Sequence, residues 1–334
     1  MKKKTLWTAG VVGLLAITYA VGPDVADVTL DPTLPTVTQD LAGLEAEIIR
    51  SEAAIPGLKK DNEARIIWAD TTKQKTPYSI VYIHGFGASQ AEGDPVHREL
   101  AKRYGANLYL ARLHDAGIDD PDAFDDLTTE NFLAGAKRAL AIGHAIGDSV
   151  IVIGTSAGGL LTVYLAATNP KIKGIVLYSP CMAIANPAMK LATRPWGQQI
   201  LNAAVGKHRV NTDTTERSNY WLKSYSANGL MTLQQTIDAV ARPKVYEKVK
   251  MPAFVGYYYK NDEEQDQVVS VAAIREMFPK LGTPDALKVE RAFPNSGDHV
   301  IASHFTSGDV PGVERATEEF FENVLKIRPA IVTK

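Results

Sequence analysis

Apolar positions along this 334-residue chain fall into two alternating patterns. Short β-branched runs recur, and stretches with apolar residues at helical spacing separate them. Residues 66–69, 78–83, 107–111, 149–153, 172–178, 253–259 and 287–292 read as strands. Helices are expected over about 40–54, 95–104, 127–146, 157–167, 268–281 and 313–327. Strands that alternate with long helices imply an α/β fold with a mostly parallel sheet covered on both faces. The alternation pauses between Cys181 and Arg242. Helical stretches over 196–205 and 230–241, with Trp196, Tyr220, Trp221 and Tyr225 among them, mark an insertion there.

The N-terminus follows a different pattern. Lys2, Lys3 and Lys4 precede an uncharged run from Thr5 to Pro23. As a helix this run would span roughly 28 Å at about 1.5 Å per residue, close to the ~30 Å hydrocarbon core of a bilayer. It reads as a signal anchor, as a signal peptide cut after Ala20, or as a buried or peripheral helix. The first two readings export the body of the protein: anchored in a bacterial inner membrane with the domain in the periplasm, or secreted after cleavage. Residues 24–59 then read as a spacer, with Pro23, Pro32 and Pro35 around its start, and an N-terminal helix. Residues 60–330 form the main domain, with the insertion at about 181–242.

Composition narrows the functional classes. Hydrophobic residues at 45% and charged residues at 22% are ordinary for a globular protein. A net charge of -2 offers no electrostatic case for nucleic acid. The lone Cys181 excludes an intrachain disulfide and any multi-cysteine zinc site. No phosphate loop with its lysine, no dinucleotide fingerprint and no zinc-type histidine pair is present, so neither cofactor nor metal is expected.

The most informative stretch is Val150-Ile151-Val152-Ile153-Gly154-Thr155-Ser156-Ala157-Gly158-Gly159. A bare Gly-x-Ser-x-Gly arises by composition on the order of once in ten chains of this length. Here it follows a buried-strand run and opens a helix, the context in which such a turn lifts a serine hydroxyl clear of a sheet. A serine needs a base, and the base needs an orienting acid. His299 lies beyond the last expected strand and His304 is its reserve. The acid falls in the loop after the strand at 253–259, among Asp262, Glu263, Glu264 and Asp266. One backbone donor for a developing oxyanion should be the Ala157 N–H, and the other should come from the loop after the strand at 78–83. His84 and His114 read as structural histidines that fix their loops.

The segments His84-Gly85-Phe86, Gly154-Thr155-Ser156-Ala157-Gly158, Asp266-Gln267-Val268-Val269 and Gly297-Asp298-His299 resemble the α/β-hydrolase superfamily over residues 60–327. The order serine, acid, histidine agrees with that family. The resemblance implies a catalytic set of Ser156, Asp266 and His299, with Asp266 favoured by its Asp-x-Val-Val setting. It points to the Phe86 N–H as the second oxyanion donor, and to the insertion as a lid or cap. The family's N-terminal antiparallel strands look reduced to one. Similar family members are often lysophospholipases or monoacylglycerol-type esterases. The expected activity is therefore serine-based hydrolysis of small-molecule or lipid-like esters, through an acyl-serine intermediate. A peptidase or amidase with the same residues, or a catalytically silent membrane-tethered binding domain, are the competing expectations. Acyl and alcohol specificity and oligomeric state are not set by these motifs.

Overall fold

The computed structural model describes residues 18, 19, 21–23 and 28–330. The expected membrane segment, residues 1–23, lies mostly outside the described residues. Among those described, no helix is long and apolar enough to cross a membrane.

Each run expected as a strand overlaps one. β1 (Arg65–Ile67), β2 (Thr76–Ile83), β3 (Asn107–Leu110), β4 (Gly147–Thr155) and β5 (Ile172–Tyr178) come first. An insertion carries β6 (His208–Val210) and β7 (Ser224–Ser226), and β8 (Ala253–Tyr257) and β9 (Lys288–Ala292) follow. The main sheet has the order β1-β3-β2-β4-β5-β8-β9. Only β1, antiparallel to β3, departs from parallel pairing.

Strand geometry explains why the central runs β2, β4 and β5 are largely apolar. Successive side chains point to opposite faces, and here both faces are covered. Val150 and Val152 of β4 enter one core, while Ile151 and Ile153 enter the other. Val81 and Ile83 of β2 join the first core, and Ile80 and Tyr82 the second. Each such side chain contributes about 1.5–3 kcal/mol by its burial. The first core is roofed by α3 (Thr129–Ile146), α4 (Ala157–Thr168) and α8 (Val271–Lys280), the second by α2 (Val96–Tyr104) and α9 (Val310–Asn323). In α4 every residue from Ala157 to Ala166 is buried, as an all-round apolar helix requires. A reciprocal cap starts α3. The Thr128 hydroxyl accepts the Asn131 N–H at 3.2 Å, and the Asn131 side chain accepts the Thr128 N–H at 2.9 Å.

Three sequence expectations change. First, α8 begins at Val271 and not near 268, because Ser270 supplies its N-cap, accepting the Ala273 N–H at 3.2 Å. Second, residues 28–40 are not a free spacer ahead of α1 (Leu41–Ala53). Val28, Leu30, Leu34 and Val37 pack on the first core, and Tyr164 and Lys137 both bond Asp31. Third, the insertion is not purely helical. Besides α5 (Gly197–Val205) and α6 (Asn228–Val240), it holds the antiparallel pair β6–β7, and the short α7 (Pro243–Tyr246) follows the insertion. Three-residue strands are too short to show a period, and β6 is exposed throughout.

Candidate active site

Ser156 stands between β4 and α4 with φ 55° and ψ -118°. A side chain in this region costs on the order of 1–3 kcal/mol, and the surroundings must hold it there. Three backbone bonds do so. The Ser156 N–H donates to the Tyr178 carbonyl at 2.9 Å, and its own carbonyl accepts from Leu160 and Cys181. The flanking glycines are needed for space. A Cβ on Gly154 would collide with the Gly158 carbonyl and the Thr162 hydroxyl, and one on Gly158 with the carbonyls of Ile83 and His84. The Ser156 turn is thus pressed directly onto the end of β2.

Asp266 and His299 meet. Asp266 Oδ2 lies 2.5 Å from His299 Nδ1. The other oxygen, Oδ1, accepts the N–H groups of Val268 and Val269 at 2.8 and 3.0 Å. The Asp266 side chain is fully buried and that of His299 is 9% exposed. Burial pushes the imidazolium of His299 down, but the charge and hydrogen bond of Asp266, with help from Glu92 and Asp298, raise its pKa above the ordinary value. The imidazole is therefore oriented through Nδ1, while Nε2 is buried with no hydrogen-bond partner among the described residues. The Ser179 hydroxyl, next after β5, donates to the His299 carbonyl at 2.7 Å. The His299 loop and the Ser156 turn are in this way both fastened at the carboxyl end of β5. No hydrogen bond joins the Ser156 hydroxyl to His299 here; such bonds commonly tighten only with substrate in place.

The other candidates sort cleanly. The Asp262 carboxylate is exposed and accepts the Tyr259 hydroxyl at 2.8 Å. His304 is exposed and bonds the Asp94 carbonyl at 3.0 Å, away from Asp266. His84 is a loop-fixing residue. The Leu113 N–H donates to its Nε2 at 3.1 Å, so Nδ1 carries the proton and donates to the Gly85 carbonyl at 2.8 Å. Burial lowers its pKa to about 4, which keeps it neutral. His114 contacts Asp126 at 2.9 Å and Asp115 at 3.6 Å. These three gather donor atoms within 4.8 Å, the one such grouping found among the described residues. Asp115 also accepts the Phe124 N–H, and Asp126 is exposed.

Backbone geometry aims the Phe86 N–H. The peptide linking Gly85 and Phe86 is planar, so its N–H points opposite to its carbonyl. That carbonyl is held by His84 Nδ1–H and by the Ala88 N–H at 3.3 Å. The Phe86 ring is anchored against Phe124 and Tyr225, with centroids at 4.6 and 5.4 Å. Among the described residues the Phe86 N–H has no acceptor. The Ala157 N–H, first in α4, has no intrahelical acceptor either and sits at the positive end of the helix dipole. Two free donors therefore flank the Ser156 turn.

Sequence patterning missed Glu92. It lies in a fully buried helical turn, Gln90–Gly93, and is 2% exposed. Its Oε2 accepts the Gly85 N–H. Desolvation raises its pKa to about 7, against the lowering influence of Gly85, His299 and Arg217. The sole sequence signal was an acid shortly after the His84-Gly85-Phe86 segment.

A sequence profile of the alpha/beta hydrolase family matches residues 80–323. No curated protein matches the chain. Solved structures do. One reported for LipS and LipT, two metagenome-derived lipolytic enzymes, has a TM-score of 0.63 at 19% identity, over 80% of this chain and 99% of that one. The monoacylglycerol lipase of Paleococcus ferrophilus gives 0.57 at 18% identity, over 78% and 99%. Est1E of Butyrivibrio proteoclasticus, solved with ferulic acid, gives 0.54 at 16% identity, over 79% and 95%. At such identities the likeness shows the fold, and the profile match places the sequence: the chain belongs to the alpha/beta hydrolase family.

Proposed function

We propose that the protein is a serine hydrolase of carboxylic esters. His299 Nε2 takes the Ser156 proton as Ser156 Oγ attacks the ester carbonyl. Asp266 holds the tautomer and offsets the charge of the imidazolium. The N–H groups of Phe86 and Ala157 receive the oxyanion, a type of contact whose loss costs about 3 kcal/mol in the transition state. The alcohol leaves with the proton from His299. Water activated by His299 then hydrolyses the acyl-Ser156 intermediate.

Support comes from one observation above all. Asp266 binds His299 at 2.5 Å through Nδ1 and leaves Nε2 unpartnered, in a loop tied to the same strand end as Ser156. The substrate class is inferred from kinship and surroundings. The similar structures include lipolytic enzymes and Est1E with bound ferulic acid, and the half-buried rings of Phe86 and Tyr225, packed on the buried Phe124, are apolar groups at the loop of one candidate donor. A panel of 4-nitrophenyl esters from acetate to dodecanoate tests this, run on the full chain in mild detergent. Turnover that rises or falls smoothly with acyl length and is lost in Ser156→Ala is expected. Turnover of matched peptide substrates without ester turnover would overturn it.

A further inference from the structure

Glu92 is a buried carboxyl that the proposed reaction leaves unused. A carboxylate removed from water needs partners, yet among the described residues its only hydrogen bond comes from the Gly85 N–H. Its position is close to the reacting atoms. The point where a Gly85 Cβ would stand lies 2.6 Å from Glu92 Oε1, 2.9 Å from Oε2 and 2.9 Å from Ser156 Cβ. The carboxyl therefore sits against Ser156 across a glycine that has no side chain to separate them.

Its turn is clamped to the other site loops as well. The Ser303 hydroxyl donates to the Ala91 carbonyl at 2.8 Å, and the His304 N–H to the Asp94 carbonyl at 3.0 Å. Both donors belong to the segment just beyond His299. Gly85 is thus gripped at its N–H by Glu92 and at its carbonyl by His84 and Ala88. That carbonyl shares its peptide plane with the Phe86 N–H.

Resting on the ester-hydrolase proposal, we infer that Glu92 is a positioning residue, whose carboxyl fixes the Gly85–Phe86 turn beside Ser156 and, where ionised, adds its charge to those of Asp266 and Asp298 acting on His299. Charged and titratable groups around it are His299 and Asp298 beyond β9, Arg217 of the insertion, and Tyr82 of β2 with Asp94. Of these, His299 is the group that would exchange protons in turnover. The Glu92 charge favours its imidazolium form.

Two variants of the full chain separate these contributions, with 4-nitrophenyl acetate as the probe. Glu92→Gln keeps an oxygen that can accept the Gly85 N–H but removes the charge. Glu92→Ala removes both. In Glu92→Ala kcat falls about tenfold to a hundredfold with KM little changed, the scale expected when a donor loop is displaced. Glu92→Gln recovers most of that kcat, and the acid limb of its kcat/KM profile moves to lower pH. A role in stability alone would lower the folded fraction and leave both the pH profile and the kcat per folded molecule unmoved. An unmoved acid limb in Glu92→Gln, or a kcat within twofold of wild type in Glu92→Ala, overturns the inference. If Glu92→Ala does not fold, the Glu92→Gln profile decides alone. Ser156→Ala run alongside keeps the outcomes distinct: its full activity would refute the hydrolase mechanism and not the placement of Glu92.

Discussion

Asp266 is the one acid of its loop with a hydrogen bond to His299 among the described residues. One carboxylate oxygen is 2.5 Å from Nδ1, and the other is satisfied by two backbone N–H groups. The neighbouring Asp262 is spent on Tyr259 at the surface. Asp266→Asn should lower kcat by roughly 10³–10⁴, because an amide facing Nδ1 favours the wrong tautomer. Asp262→Asn should stay within about twofold, since surface changes away from a site rarely matter. Steady-state ester kinetics on both variants check this.

The raised pKa of His299 fixes the sign of the activity profile. The base must be neutral, so activity is lost as pH falls through the pKa of His299. With Asp266, Glu92 and Asp298 favouring the charged form despite burial, the acid midpoint of kcat/KM should lie above the ordinary histidine value of about 6.5. A profile measured from pH 5 to 9 with a non-ionising ester reads the midpoint directly. A midpoint below the ordinary value would contradict the environment described.

Close packing predicts a sharp effect at Gly158. A methyl group there meets the carbonyls of Ile83 and His84, which are backbone and cannot swing away. Gly158→Ala should destabilise the fold by about 3 kcal/mol or more and separate the Ser156 turn from the Phe86 loop. Urea unfolding and ester turnover should fall together. A variant with wild-type stability and activity would show that the two loops are not held in contact.

Much of this site could be read locally. Ser156 was legible because strand, glycine turn and helix are contiguous in the chain, and His299 because it follows the last strand. Asp266 needed family resemblance, since four acids share its loop and only burial separates them: Asp266 is 3% exposed, whereas Asp262, Glu263 and Glu264 face solvent. Glu92 was not legible. Its proposed role rests on meeting Gly85 and Ser156 across the fold, and no periodicity records such a contact. The β6–β7 pair and the packing of residues 28–40 were missed for a related reason: short extended segments take their structure from what they lie against.

Glu92 also makes a stability prediction. Its folded pKa is about 7 against 4.5 for the free side chain. A raised carboxyl pKa favours the protonated folded state, so the contribution is fully present below about pH 4.5 and is lost as pH rises through 7. The difference amounts to about 3 kcal/mol for this buried group. Glu92→Gln, which cannot ionise, should gain stability relative to wild type at pH 8.5 and show little gain at pH 5. Urea melts of both proteins at both pH values test it, and an equal gap at the two pH values would contradict it.

Ser156 acts in the proposed reaction as an activated nucleophile. Fluorophosphonate labelling of the folded full chain, followed by peptide mapping, tests it most directly. Stoichiometric modification on Ser156 is expected, abolished in Ser156→Ala and slowed by orders of magnitude in His299→Ala. No labelling of folded protein, or labelling that survives Ser156→Ala, would contradict it.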